Sequence, residues 1–167
     1  VGVSSAKKAM GMGARVTILD SNLNRLRYID DVYGGRIQTL ASNAFNIAAA
    51  VKDADLLVGS VLIPGALTPK LVTEAMVKTM KKGAAIVDVA IDQGGCIEVT
   101  AKHGATYHDK PTFMYEGIVC YSVGNMPGAV ARTSTFTLTN ATMPYMVALA
   151  NKGWKQACQD DKALARG

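Results

Sequence analysis

The sequence predicts an α/β fold, a doubly wound parallel sheet with helices on both faces. Three observations carry that expectation. Two runs, Asp55–Val61 and Ala84–Ala90, are apolar almost throughout, as in strands buried on both faces. They alternate with stretches of helical character that end at glycine or polar turns. Of the 167 residues, 49% are hydrophobic and 19% charged, enough apolar surface to offset the ordering of one packed domain.

In chain order, Ser4–Met12 is the first helix and Gly13 its stop; Arg15–Asp20 is a β-branched strand ending in an acid. Asn22–Val32 is helical up to the Gly34-Gly35 break, Arg36–Leu40 is a short strand, Phe45–Lys52 a helix and Asp55–Val61 a buried strand. Pro69–Met80 is expected as a helix, because proline suits a first turn, and Lys82-Gly83 stops it before the strand Ala84–Ala90. Past Asp92 the pattern loosens. Gln93-Gly94-Gly95 is a turn, Thr106–His108 a short strand, Pro111–Glu116 a loop, Gly117–Val123 the last strand and Gly124–Gly128 a turn. Thr135–Lys152 is a long helix that Pro144 is expected to kink or divide into two shorter pieces, followed by an amphipathic helix over Trp154–Gly167.

Several function classes are disfavoured. The longest apolar run, Leu56–Ile63, is far short of the roughly 20 residues of a spanning helix, so no membrane partner is expected. The first residues lack the pattern of a secretory signal. Net charge is +5, but the 18 basic residues are scattered and aromatics make up only 6%, which argues against nucleic acid. Cys96, Cys120 and Cys158 have neither disulfide-framework nor zinc-ligand spacing; no metal is expected, and a reducing cytoplasm fits.

Ligands of such sheets bind beyond the carboxyl ends of the strands, so the residues following each strand are the candidates. An acid at Asp20 accepts hydrogen bonds from the ribose of an adenine dinucleotide and repels a 2′-phosphate, favouring NAD over NADP. Asp20 reads equally as a helix cap. Gly2 stands where the third glycine of a Gly-x-Gly-x-x-Gly turn would be, or is merely terminal. Val61-Leu62-Ile63-Pro64-Gly65 suits a loop lying over adenosine, or a proline-glycine turn leading into a helix. Asp92 falls just past a strand and projects into the crevice, with Gly94 and Gly95 letting the backbone approach a ligand; Asp88, inside the strand, reads as a buried structural acid. The amides of Ser122–Gly128 suit a nicotinamide or its ribose. Cys96 reads as a packed thiol, His103 and His108 as solvated loop histidines, and Arg132 as either a cofactor contact or a surface ion pair.

Taken together, Val16–Asp20, Leu62–Ala66, Val87–Cys96, Asn125–Ala129, Thr133–Thr135 and Leu138–Thr142 resemble alanine dehydrogenase, over Val1 to about Lys155. The Ile-Asp-Gln-Gly-Gly-Cys block at Ile91–Cys96 is highly specific. The resemblance implies reversible NAD-dependent oxidative deamination of L-alanine to pyruvate and ammonium by a homohexamer. It implies a cofactor held by Val1 at the phosphate turn, Asp20 and Arg25 at the ribose, Ser42 near the adenine, Val61-Leu62, Val89, Ala90, Ile91 and Asp92, and Val123, Gly124, Asn125 and Met126. Asp92 matches the catalytic aspartate. The family's histidine, lysine and arginine come from a preceding substrate domain, so this chain alone is expected to be inactive. On this reading residues 1–133 form a Rossmann-like NAD-binding domain whose first strand is missing, and residues 134–167 a helical segment leading back toward the absent substrate domain. The related dinucleotide-binding component of proton-translocating NAD(P) transhydrogenase is the nearest alternative, although its strand-end loop lacks an acid matching Asp92. A non-catalytic NAD-binding module is the other, since no complete acid–base set lies in these residues.

Overall fold

The computed structural model describes residues 1–63 and 65–166, and the chain divides into one compact unit, Val1–Gly124, and a second beginning at Asn125. The first unit runs α1 (Gly2–Gly11), β1 (Val16–Asp20), α2 (Leu23–Tyr33), β2 (Ile37–Ala41), α3 (Ala44–Asp53) and β3 (Leu56–Gly59). It continues through α4 (Glu74–Val77), β4 (Ala85–Asp88), α5 (Glu98–His103), β5 (Thr112–Tyr115) and β6 (Ile118–Tyr121). Among the described residues, β1 and β2 pair in parallel, and a second sheet has the order β3-β4-β6-β5. Within it β3, β4 and β6 are parallel, so Gly59 pairs with Asp88 and Val87 with Tyr121. This is the α/β architecture that the alternating pattern predicts. β1 and β3 lie in separate sheets, and α1 packs against both.

Local chemistry explains the helix ends. Asn22 and Asn43 cap α2 and α3 by accepting backbone N–H bonds at 3.1 and 2.8 Å, and Gly34 closes α2 in the left-handed region at φ 56°. The main core gathers Val51, Val77, Ile86, Ile97, Ile118 and Cys120 between the four-stranded sheet and its helices. A smaller one joins Ala6 of α1 to Ile29 and Ile37.

Three expectations are corrected. The helix expected over Pro69–Met80 is confined to Glu74–Val77, because Leu71 and Val72 donate to the Cys96 carbonyl and Val72 pairs with Ile97. Backbone groups committed across the chain cannot also close helical turns. Pro111–Glu116 is not a loop but contains the antiparallel strand β5, joined to β6 through Glu116 and Gly117 at φ 50° and 80°. Two successive positive φ values are the twist of a tight hairpin turn, which the pair Glu-Gly signals less clearly than Asn-Gly. Thr106–His108 contributes only isolated bridges.

In the second unit, α6 (Ala131–Asp160) is helical through Pro144, and its non-helical backbone falls at Gly153, with φ 73° and ψ 157°. Glycine adopts that conformation without a Cβ clash, so the break settles there. Among the described residues no helix is long and apolar enough to cross a membrane.

Glu74 ties α4 to two neighbouring elements. Its carboxylate accepts from Lys102 of α5 and the Tyr115 hydroxyl of β5, both at 2.6 Å, and pairs with Lys78 at 2.9 Å. Lys102, then Tyr115 and Lys78, hold the carboxyl down to about 2 from an ordinary 4.5. A lowered folded pKa means that the contribution is complete above the ordinary value and is lost as pH falls toward the folded one. On acidification through that window, thermal melts are expected to show a steeper loss for the wild-type protein than for Glu74→Gln. The difference is small because the side chain is 31% exposed and screened; parallel melting curves would contradict it.

Candidate functional site

The carboxyl ends of the parallel strands set the candidate residues. Asp20 closes β1, and Ser42, just past β2, donates its backbone N–H to the Asp20 carbonyl at 2.9 Å. One Asp20 carboxylate oxygen accepts from the Asn22 N–H at 2.8 Å, and the other has no protein partner among the described residues. Asp20 thus braces the turn before α2 and keeps an acceptor at the strand end. Arg25 is exposed on α2, with its guanidinium 5.0 Å from the Tyr28 ring centre.

Gly2 begins α1 hard against the end of β3. A Cβ there would lie 2.6 Å from Ser60 Oγ, a close approach that only glycine permits without displacement. The contact brings Gly2, which follows exposed Val1, to Ser60, directly before Val61 and Leu62. Pro64, in the same loop, lies outside the described residues.

Past β4 the chain winds around Asp88. This fully buried carboxylate accepts backbone N–H bonds from Ala90 at 3.1 Å, Cys96 at 3.1 Å and Ile97 at 3.2 Å, and the Thr100 hydroxyl at 2.5 Å. Asp88 is the buried, hydrogen-bonded acid that the sequence reading describes. Ala90 and Ile91 are buried, so they offer a ligand mainly backbone, while Asp92 is exposed in the 3-10 turn Ile91–Gln93. Gly94 and Gly95 follow at φ 88° and 73°, where other residues are strained. The Gln93 side-chain oxygen is buried without a hydrogen-bond partner among the described residues, an acceptor left for a donor to satisfy.

Beyond β6, Val123 is fully buried and Gly124 abuts Asp92: a Cβ on Gly124 would lie 3.4 Å from Asp92 Oδ1. In the second unit, Asn125 is left-handed at φ 53°, and Met126 begins the 3-10 turn Met126–Val130.

Other candidates take plain roles. Burial, together with the Asp88 carboxylate, pushes the Cys96 thiol up to about 12, so it is a packed, unreactive thiol. His103 ends α5 rather than lying in a loop, and it stacks on Phe113 with ring centres 3.7 Å apart. His108 is exposed in the turn beyond Thr106. The Arg132 guanidinium sits 5.1 Å from the Phe136 ring centre. Sequence reasoning missed Thr68 and Lys70, which bind the backbone of the loop after Asp92; Lys70 sits in a segment expected to be helical and Thr68 just before it, and no motif marks them.

The model of one family, described as "Alanine dehydrogenase/PNT, C-terminal domain", matches residues 1–167. An alanine dehydrogenase of Bilophila wadsworthia is 88% identical over 171 residues, covering 100% of this chain and 45% of the relative. An alanine dehydrogenase of Methanococcus maripaludis is 60% identical, with 100% and 44% covered. Among solved structures, an L-alanine dehydrogenase superposes with TM-score 0.90 at 49% identity, over 99% of this chain and 45% of that one. A transhydrogenase from Sinorhizobium meliloti superposes with TM-score 0.66 at 26% identity, over 81% and 37%. The chain thus spans less than half the length of these relatives.

Proposed function

The chain belongs to the alanine dehydrogenase/PNT C-terminal domain family, and on that premise we propose that it is the NAD-binding part of an alanine dehydrogenase, deaminating L-alanine reversibly to pyruvate and ammonium. The observation that carries the reading is Asp92, an exposed carboxylate just past a buried parallel strand, set against Gly124 at the end of the next. The transhydrogenase alternative does not account for an acid at that position. We place the protein in the cytoplasm as a homohexamer, and its free cysteines suit a reducing compartment.

The residues present fit a nicotinamide adenine dinucleotide. Asp20 keeps one oxygen for ribose hydroxyls, Gly2 lets α1 begin close to Ser60, where the helix start would suit a phosphate group, and the unsatisfied Gln93 oxygen awaits a donor. Val1, Arg25, Ser42, Val61, Leu62, Val89, Ala90, Ile91, Val123, Gly124, Asn125 and Met126 complete the proposed contacts. A bound nicotinamide would supply the acceptor for the hydride, one proton with two electrons, that leaves the amino-acid α-carbon. Asp92 then stabilises the positive charge that develops on the substrate nitrogen and orders the water that adds to the carbon. Proton transfer by a histidine and grip on the substrate carboxylate fall to a substrate domain, which residues 134–167 lead toward. In support, α6 carries no charge from Thr133 to Asn151 and leaves Phe136, Leu138, Met146 and Val147 exposed, the surface of a helix made to be covered.

The test is NADH formation from L-alanine by the full-length protein, with Asp20→Ser as a second arm. Turnover with NAD is expected in the wild type, and the Asp20→Ser protein is expected to use NADP better relative to NAD. Nucleotide transhydrogenation without any response to alanine would overturn the reading.

A further inference from the structure

The loop that presents Asp92 is held from two sides. From beneath, Asp88 takes the N–H groups of Ala90, Cys96 and Ile97, fixing both ends of the loop. Between those ends lie Gln93, Gly94 and Gly95, two of them glycines with left-handed backbone and no side chain to brace them. Their carbonyls are all taken by two residues of the β3–α4 connection. Thr68, buried, donates its N–H to the Gln93 carbonyl at 3.0 Å and its hydroxyl to the Gln93 and Gly95 carbonyls at 3.1 and 2.8 Å. Lys70 donates its ammonium to the Gly94 and Gly95 carbonyls at 2.5 and 2.6 Å.

From this geometry we infer that Lys70, with Thr68, is a positioning residue for Asp92: it latches the β3–α4 connection onto the glycine loop so that the two crevice loops hold one geometry. The inference rests on the catalytic reading of Asp92 given above. Lys70 is exposed and fills no core space, so its hydrogen bonds, rather than packing, are what its loss removes. Charge-assisted donors on carbonyl oxygens are stronger than neutral ones, and here they restrain the most pliable part of the loop. Val61 and Leu62 lie on the same connection, so this latch ties a proposed cofactor loop to the aspartate that acts beside it.

The full-length protein carries the test, in the variants Lys70→Met, Lys70→Arg and Lys70→Met combined with Asp92→Asn. Lys70→Met is expected to lower kcat with L-alanine by about ten- to a hundredfold, the effect of a misplaced group, with little change in KM or NAD affinity. Lys70→Arg, which still offers paired donors, restores most of the rate. In the Asp92→Asn background Lys70→Met adds little, because its effect passes through Asp92. Hydrogen exchange supplies a readout independent of turnover. Lys70→Met accelerates exchange at the Gly94 and Gly95 amides, while those of Cys96 and Ile97, held by Asp88, stay protected. An inactive wild type would strike down the proposed function, yet the latch would still stand or fall on exchange. A wild-type kcat in Lys70→Met, a full effect of that substitution without Asp92, or unchanged exchange at Gly94 and Gly95 would each overturn the inference.

Discussion

Replacing Asp92 by asparagine is expected to lower kcat with L-alanine in the full-length protein by about a hundred- to a thousandfold, the usual loss when a preorganised electrostatic group is removed. Asparagine keeps the size of the side chain and much of its hydrogen bonding. What it loses is the negative charge that the proposed role requires as the substrate nitrogen becomes cationic. The side chain is exposed at the strand end, so its replacement leaves no cavity, and melting temperature and NAD affinity are expected to remain close to wild type. Steady-state kinetics alongside a binding titration separate these quantities. An Asp92→Asn protein that turns over normally would be incompatible with the assignment.

Removing the carboxylate four residues earlier has the opposite profile. Asp88→Ala is expected to destabilise the fold by about 3–5 kcal/mol, as when one partner of a buried polar network is deleted. Asp88 is fully buried, and its loss strands the N–H groups of Ala90, Cys96 and Ile97 and the Thr100 hydroxyl, all of which point inward. Asp88→Asn retains one acceptor oxygen but turns an NH2 toward donors, so it is expected to recover only part of the deficit. Urea denaturation with intrinsic fluorescence measures both; a midpoint within error of wild type for Asp88→Ala would show that water replaces the carboxylate at no cost. The paired variants also separate roles within one short segment: Asp92→Asn is expected to change rate and Asp88→Ala to change stability.

Much of this organisation is legible along the chain. Asp55–Val61 and Ala84–Ala90 read as strands because burial on both faces leaves an apolar run, and Asp20 and Asp92 stand out as acids at strand ends, where a doubly wound sheet binds its ligands. Less legible is anything that depends on two distant segments meeting. The stretch Pro69–Met80 carries a reasonable helical composition, yet most of it is not helical, because Leu71 and Val72 find the Cys96 carbonyl instead. β5 is amphipathic over only a few residues, too short for periodicity to separate it from a loop, and pairing with β6 decides the matter. His103 shows no local sign that it will stack on Phe113.

The sequence by itself therefore determined the α/β class, the parallel strands and the identity of the acids at their ends, since these follow from burial pattern and residue chemistry within a few positions. Tertiary structure alone decided which groups touch: Gly2 against Ser60, Gly124 against Asp92, and Lys70 on the glycine carbonyls. The physical reason is range. Periodicity and turn preference act over one or two turns of chain, whereas hydrogen bonds and close approaches between loops exist only after the strands that carry those loops have packed side by side.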